Sequence, residues 1–287
     1  MTEILRYSAF TRDGAGGNPA GVVLDASDLD EQRMLRIADE LGYSETAFVV
    51  PAADGSTRAR VRYFSPLAEV AFCGHATVAT AVALADRGRG GRWELSTLAG
   101  PITVETATTK DGTSAALVSP PAASTPLDPE LLERTLTALR LGADDLDPEF
   151  PPHVGFAGNH HPMLGLRSEA TLAALDYDYD ALARLMDDQR WTTVHLFWAE
   201  EAAVFHARNP FPPGGVVEDP ATGAAAAAFG GYLRTIGRVP RDGSVTVLQG
   251  HHMGAPSRLR VDVVEGSESI RVSGTATELP VPPGAGS

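Results

Sequence analysis

The 287-residue chain contains one cysteine, Cys73. A single thiol excludes an internal disulfide framework and fits a reducing compartment, so the expected location is the cytoplasm. Long apolar runs are missing too: no charge-free stretch approaches the ~20 residues that cross a bilayer. The N-terminus, MTEILRYSAFTRDG, carries Glu3 and lacks a basic segment leading into an apolar core, so no secretory leader is expected. Basic charge is in deficit. Lys plus Arg number 23 against 37 Asp plus Glu, a formal net charge of −14 with pI near 4.9. A surface this acidic repels phosphate backbones and anionic lipid, so neither nucleic acid nor membrane is an expected partner.

Several chemical signatures are also absent. The patterns G-x-x-x-x-G-K-[ST], H-E-x-x-H and G-x-S-x-G do not occur. GAGGNP is glycine-rich, but it lacks the G-x-G-x-x-G spacing and a following helix, so it reads as a turn. His160–His161 and His251–His252 are adjacent pairs. Adjacent side chains point apart on a strand and diverge on a helix, which predicts hydrogen-bonding or solvated roles and no metal.

What is present is the composition of a globular protein, 43% hydrophobic and 21% charged. The length suits one large domain or two medium ones. In SDLDEQRMLRIADELG, Ser27 is the expected N-cap. Met34, Ile37, Ala38 and Leu41 follow helical spacing, and Gly42 is the expected left-handed stop. YSETAFVV follows as a strand. RARVRYF alternates Arg58, Arg60 and Arg62 against Ala59, Val61 and Tyr63, again a strand. Residues 106–152 are rich in Thr, Ser, Pro and Asp. They hold one clear helix, with Asp128 as cap, Pro129 in the first turn and Gly142 as stop. This region is the expected boundary between halves, placed at 1–120 and 121–287. The tail PVPPGAGS is expected to fray.

An internal repeat supports that division. EVAFCGHATVATA begins at Glu69 and EDPATGAAAAAFG at Glu218, an offset of 218 − 69 = 149. Gly17–Asn18 and Gly158–Asn159 are offset by 141. Both long segments run from an acid through a short turn to a glycine and then into a small-residue helix. Those helices, ATVATAVALA and GAAAAAFGGYL, have no polar face, so each is buried all round. The expected architecture is α+β: two similar halves, each a curved, mostly antiparallel sheet or barrel around a central helix. The alternative is one buried helix in each of two layered domains.

Chemistry is expected at the repeated glycine turns. The first turn of a helix exposes N–H donors that suit a carboxylate or a developing oxyanion. Helix starts at Gly74 and Gly223 therefore imply a small anionic ligand, unless protein neighbours satisfy them. Glu45 opens a strand otherwise dominated by apolar residues. It is either an exposed edge residue or a carboxylate placed to exchange protons. His75 is a capping or packing residue, or a proton relay. Asp219 caps the second helix or holds a substrate amine.

The motifs GNPAGVVL, SETAFV, RYFSP with EVAFCGHAT, EDPATG and QGHHMGAPSRL, in that order, resemble the PhzF-like isomerases of phenazine biosynthesis, which have the diaminopimelate epimerase fold. They cover about residues 10–260. The resemblance implies two similar halves with the active site between them, no metal or organic cofactor, and a homodimer. It implies the isomerase chemistry of trans-2,3-dihydro-3-hydroxyanthranilate, a proton moved by a glutamate, which falls on Glu45. His75 and Asp219 match the other catalytic positions. Asn18, Cys73, Gly74, Thr222, Gly223 and Ala224 are the expected substrate contacts. Two positions depart from the family. Ala224 stands where DPATGSA has a substrate-contacting serine, and Ala255 where MGRPS has arginine. Both point to an altered substrate or weakened activity.

Three rivals remain. A two-base epimerase or racemase on the same fold needs a thiol from each half, but the repeat sets Thr222 opposite Cys73, and a hydroxyl is a far poorer acid/base. A non-catalytic small-ligand binder is motivated by Ala224 and Ala255. A Cys73–His75 hydrolase ranks last, because residues two apart leave little room for a thiol–imidazole contact. Cys73 is thus expected to be a small buried neighbour.

Overall fold

A computed structural model describes residues 2–109 and 112–280. The PVPPGAGS tail after Pro280 lies outside the described residues. Two compact units divide the chain: one holds it up to Val118 and from Ser273 onward, the other is Ser119–Val272.

The first unit runs β1 (Leu5–Ala9), β2 (Asn18–Val23), α1 (Glu31–Leu41), β3 (Glu45–Pro51), β4 (Arg58–Phe64), the short β5 (Glu69–Val70), α2 (Gly74–Asp86), β6 (Arg92–Thr97), β7 (Gly100–Thr109) and β8 (Gly112–Pro121). Its pairings are β1–β2 antiparallel, β2–β3 parallel, β3–β4 antiparallel, β4–β6 parallel and β6–β7 antiparallel. Parallel neighbours need a crossover, and α1 and α2 supply the two.

The second unit runs β9 (Ala123–Pro126), α3 (Pro129–Leu139), β10 (His153–Phe156), β11 (His160–Gly165), α4 (Glu169–Ala173), α5 (Tyr179–Gln189), β12 (His195–Glu201), β13 (Val204–Arg208), α6 (Gly223–Thr235), β14 (Ser244–Gln249), β15 (Ser257–Val263) and β16 (Ser269–Glu278). From β10 the pairings are antiparallel, parallel, antiparallel, parallel, antiparallel, the same order as in the first unit. From Ser273 β16 belongs to the first unit, where its end pairs with β1, Ala9 opposite Ala276.

The central helices obey the same repeat. Both α2 and α6 have 13 residues, and both ends differ by 149 (223 − 74 and 235 − 86). Every residue of α2 from His75 to Leu84 is buried, against β1, β2, β3 and β7. In α6 the small residues are a packing requirement. A Cβ on Gly230 would come within 2.8 Å of the Val261 side chain, and one on Gly231 within 2.8 Å of Ala122. Phe197, Phe205, Phe229 and Tyr232 fill the space around α6 with edge-on and stacked ring contacts.

Two local expectations are corrected. α1 starts later than Ser27: its cap is Asp30, whose carboxylate accepts from the Arg33 N–H at 2.7 Å. Ser27 is instead occupied by the Asp25 carboxylate, which it meets through both N–H and O–H. α3 does not wait for Gly142 to stop. Arg140 takes the left-handed conformation (φ 54°) and ends it two residues earlier. Asp128 caps α3 as expected, accepting from the N–H of Glu130 and Leu131, and Gly42 ends α1 with φ 67°. No helix among the described residues is long and apolar enough to cross a membrane.

Candidate active site

Three element starts converge in the first unit. β2 and β3 run parallel, so Asn18 and Glu45 begin strands on one side of the sheet. The chain reaches Asn18 through Gly16 and Gly17, both at positive φ. At Gly17 a Cβ would fall 2.5 Å from the Ala9 carbonyl, so only glycine fits this turn. α2 begins beside them, with Cys73 as an extended N-cap (φ −142°, ψ 115°).

The result is a compact polar cluster. The Glu45 Oε2 lies 3.4 Å from His75 Nε2 and 3.6 Å from the Cys73 thiol, which donates to it. Cys73 Sγ is 3.3 Å from His75 Nδ1. The expectation that residues two apart leave little room for a thiol–imidazole contact is therefore corrected. Cys73 is extended and His75 sits in the first helical turn, so both side chains fold over the same helix end. Asn18 Nδ2 lies 3.2 Å from His75 Nδ1 and donates to it, which puts the ring proton on Nε2. Ser44 Oγ stands 3.4 Å from the same Nε2.

Burial makes this cluster unusual. His75 and Cys73 are only 6% and 7% exposed, and the Glu45 side chain is 19% exposed. Both contacts to the carboxylate go to Oε2; Oε1 receives none from the described residues. One oxygen is thus anchored while the other remains available. Beneath the cluster, Thr77 donates to the Cys73 carbonyl at 2.7 Å, and Tyr63 donates to Thr77 at 2.6 Å. That chain ties the start of α2 to β4, and its burial pushes the Tyr63 phenol well above its ordinary range.

In the second unit, Asp219, Thr222, Gly223 and Ala224 gather at the start of α6. Asp219 is not the N-cap residue of this helix, the first of its two expected roles. Thr222 occupies the N-cap, and its hydroxyl donates to Asp219 Oδ2 at 2.6 Å. Gln249, at the end of β14 and 2% exposed, fastens the turn. Its Nε2 donates to the Asp219 carbonyl at 2.6 Å and to Thr222 Oγ1 at 3.1 Å, and its Oε1 accepts from the Thr222 N–H at 3.3 Å.

One contrast separates these two helix starts from the rest. α1, α3, α4 and α5 are each capped by a side chain, from Asp30, Asp128, Ser168 and Asp178. Neither Cys73 nor Thr222 makes a side-chain cap. No N-cap side chain competes with another acceptor at these two helix starts, the arrangement an anionic ligand needs.

Among the sequence-derived site residues, Asn18, Glu45, Cys73, Gly74 and His75 come together in the first unit. The remainder come together in the second. Ser44 and Gln249 were missed, although both lie within quoted motifs, SETAFV and QGHHMG. The paired histidines form no donor cluster, yet Glu45, Cys73 and His75 place three different donor types within 4.8 Å of one another.

Comparison with known proteins bears on this geometry. The family model PhzC-PhzF, "Phenazine biosynthesis-like protein", matches residues 7–280. A Deinococcus radiodurans protein named "Uncharacterized isomerase" is 37% identical, covering 96% of this chain and 92% of its own. The Pseudomonas aeruginosa trans-2,3-dihydro-3-hydroxyanthranilate isomerase is 34% identical over 90% of this chain and 89% of its own. The crystal structure of a Bacillus anthracis phenazine biosynthesis protein of the PhzF family superposes with a TM-score of 0.83 at 27% identity, over 97% of this chain and 98% of that one. The chain belongs to the phenazine biosynthesis-like family of isomerases.

Proposed function

We propose that this isomerase moves a proton between carbons of a small cyclic or amino-acid-like carboxylate, with Glu45 as the acid/base and no cofactor. The observation that carries the reading is the half-anchored carboxylate: Oε2 accepts from the Cys73 thiol and lies 3.4 Å from His75 Nε2, while Oε1 accepts no hydrogen bond from the described residues. As a carboxylate, Glu45 takes a proton from a substrate C–H bond. The electron pair left on carbon delocalises toward the substrate's unsaturated system. The proton on Glu45 exchanges with solvent, and Glu45 then protonates a second carbon, so the enzyme ends as it began. His75 Nε2 stands 3.4 Å from that oxygen, and Asn18 on Nδ1 orients the ring. First-turn N–H groups of α2 favour the substrate's negative charge. Ala224 removes the hydroxyl that family members present, which supports a substrate other than that of the phenazine pathway.

A second reading has its own observation. The Cys73 thiol touches both the imidazole and the carboxylate, so it is placed to carry a proton itself, as in an epimerase. The counterpart Thr222 hydroxyl is engaged by Asp219, which weighs against a two-base pair. Incubation in D2O with trans-2,3-dihydro-3-hydroxyanthranilate and a panel of cyclic amino acids, followed by proton NMR, separates the readings. Double-bond migration with one deuterium supports the isomerase. Inversion at a single carbon, abolished by Cys73→Ser, supports the epimerase. Ligand-induced stabilisation without any exchange would leave a binding protein. A homodimer is assigned on the family resemblance; a sedimentation mass of one 30.2 kDa chain would remove it.

A further inference from the structure

Glu45 opens β3, whereas Cys73 and His75 belong to the start of α2. Local chain geometry does not fix the distance between the two, yet the contacts to Glu45 require it to be fixed. One buried side chain spans it. Ala47, two positions after Glu45 on β3, lies opposite Tyr63 of β4. Tyr63 is fully buried, and its ring meets that of Phe72, the residue before Cys73, edge-on at 6.0 Å. Its hydroxyl is 2.6 Å from Thr77 Oγ1. Thr77 commits its own proton to the Cys73 carbonyl at 2.7 Å, so Tyr63 is the donor in the first bond. The same carbonyl accepts the Thr77 N–H at 3.1 Å. Two donors on one carbonyl hold Cys73 in the extended conformation (ψ 115°) from which its thiol reaches Glu45. A Phe and a Val of the same shape would fill this space without burying polar groups. The two hydroxyls are therefore explained by orientation rather than by packing.

We propose that Tyr63 is a positioning residue of this isomerase: through Thr77 it fixes the Cys73 backbone, and with it the contacts of Cys73 and His75 to Glu45. The kinetic consequence rests on the function proposed above; the geometric one does not.

Tyr63→Phe and Thr77→Val cut the chain at its two links and keep its shape, and circular dichroism checks that both fold. In each, NMR should show the Cys73 Cβ and His75 ring resonances shifted. With trans-2,3-dihydro-3-hydroxyanthranilate, or whichever cyclic amino acid the wild-type protein accepts, kcat should fall about tenfold while KM stays within about twofold. The double variant should be no slower than either single one, because both break one chain. Tyr7→Phe removes a hydroxyl bonded to Asp86 at 3.0 Å, at the far end of α2, and should leave kcat unchanged. Unmoved resonances in both chain variants would overturn the brace. Shifted resonances with full kcat, losses that multiply in the double variant, or an equal loss in Tyr7→Phe would overturn the positioning role. A wild-type protein that exchanges no substrate proton would remove the function proposed above and the kinetic consequence with it, and the resonances would still decide the brace.

Discussion

Acid should weaken this protein through two histidines far inside the second unit. His161 and His195 are both fully buried. Burial, with the neighbouring His195, lowers the His161 pKa to about 3, and burial lowers that of His195 to about 4. His161 Nδ1 meets Thr193 Oγ1 at 2.9 Å, and His195 Nδ1–H donates to Asn209 Oδ1 at 2.8 Å. The Nε2 of each ring has no protein partner among the described residues. The sign follows from proton counting. Below the unfolded value near 6.5 the unfolded chain binds protons that the folded chain refuses, so stability falls as pH drops and levels off near pH 3–4. Between pH 7 and 5 each histidine withdraws about 2 kcal/mol, and the pair about 4 kcal/mol, a large share of an ordinary folding free energy. His153 and His252, also lowered by burial, pull the same way. The lowered carboxylates Asp25, Asp54 and Glu69 contribute only below their unfolded values, so this window belongs to histidine. Urea denaturation at pH 7 and pH 5 reads the difference. His161→Gln and His195→Gln should each lose about 2 kcal/mol of the pH dependence, whatever they do to stability at pH 7. A wild-type loss under about 1 kcal/mol, or variants that keep the whole dependence, would refute the reasoning.

Other expectations follow from single contacts. Gln249→Ala removes three hydrogen bonds from the start of α6 and should cost about 3 kcal/mol, read by urea denaturation. Gly17→Ala meets both a φ of 82° and the Ala9 carbonyl; it should cost about 3 kcal/mol or more and displace Asn18 from His75, visible as a shifted His75 ring resonance. Asp128→Ala should cost about 1 kcal/mol by uncapping α3 and leave proton exchange unchanged. Ala224→Ser returns a hydroxyl to the first turn of α6 and should lower KM for a substrate that family members accept.

The fold was readable because its main signals are crude and redundant. Ten consecutive buried residues in α2 and the glycines of α6 announce helices with sheet on every side. The offset of 149 announces the duplication, and the alternation in Arg58–Phe64 announces a strand. Local endings were less readable. Ser27 and Asp30 are both good caps, and only the chain path decides between them. A left-handed Arg140 has no sequence signature, since that conformation normally selects glycine. In the site, the motifs located Glu45, His75 and Asn18. The contact of Cys73 with both Glu45 and His75 depends on an extended N-cap, and Gln249 reaches α6 from the following strand. Both are products of backbone geometry rather than of spacing.

The central claim is that Glu45 carries the proton and that Cys73 and His75 hold it. It is tested most directly by deuterium incorporation from D2O into the substrate carbon, followed by NMR, for the wild-type protein, Glu45→Gln and Cys73→Ser. The account predicts a loss of about 100-fold or more in Glu45→Gln, where the amide cannot take a proton, and a smaller loss in Cys73→Ser. Wild-type exchange in Glu45→Gln, with full loss in Cys73→Ser, would contradict it and give the proton to the thiol.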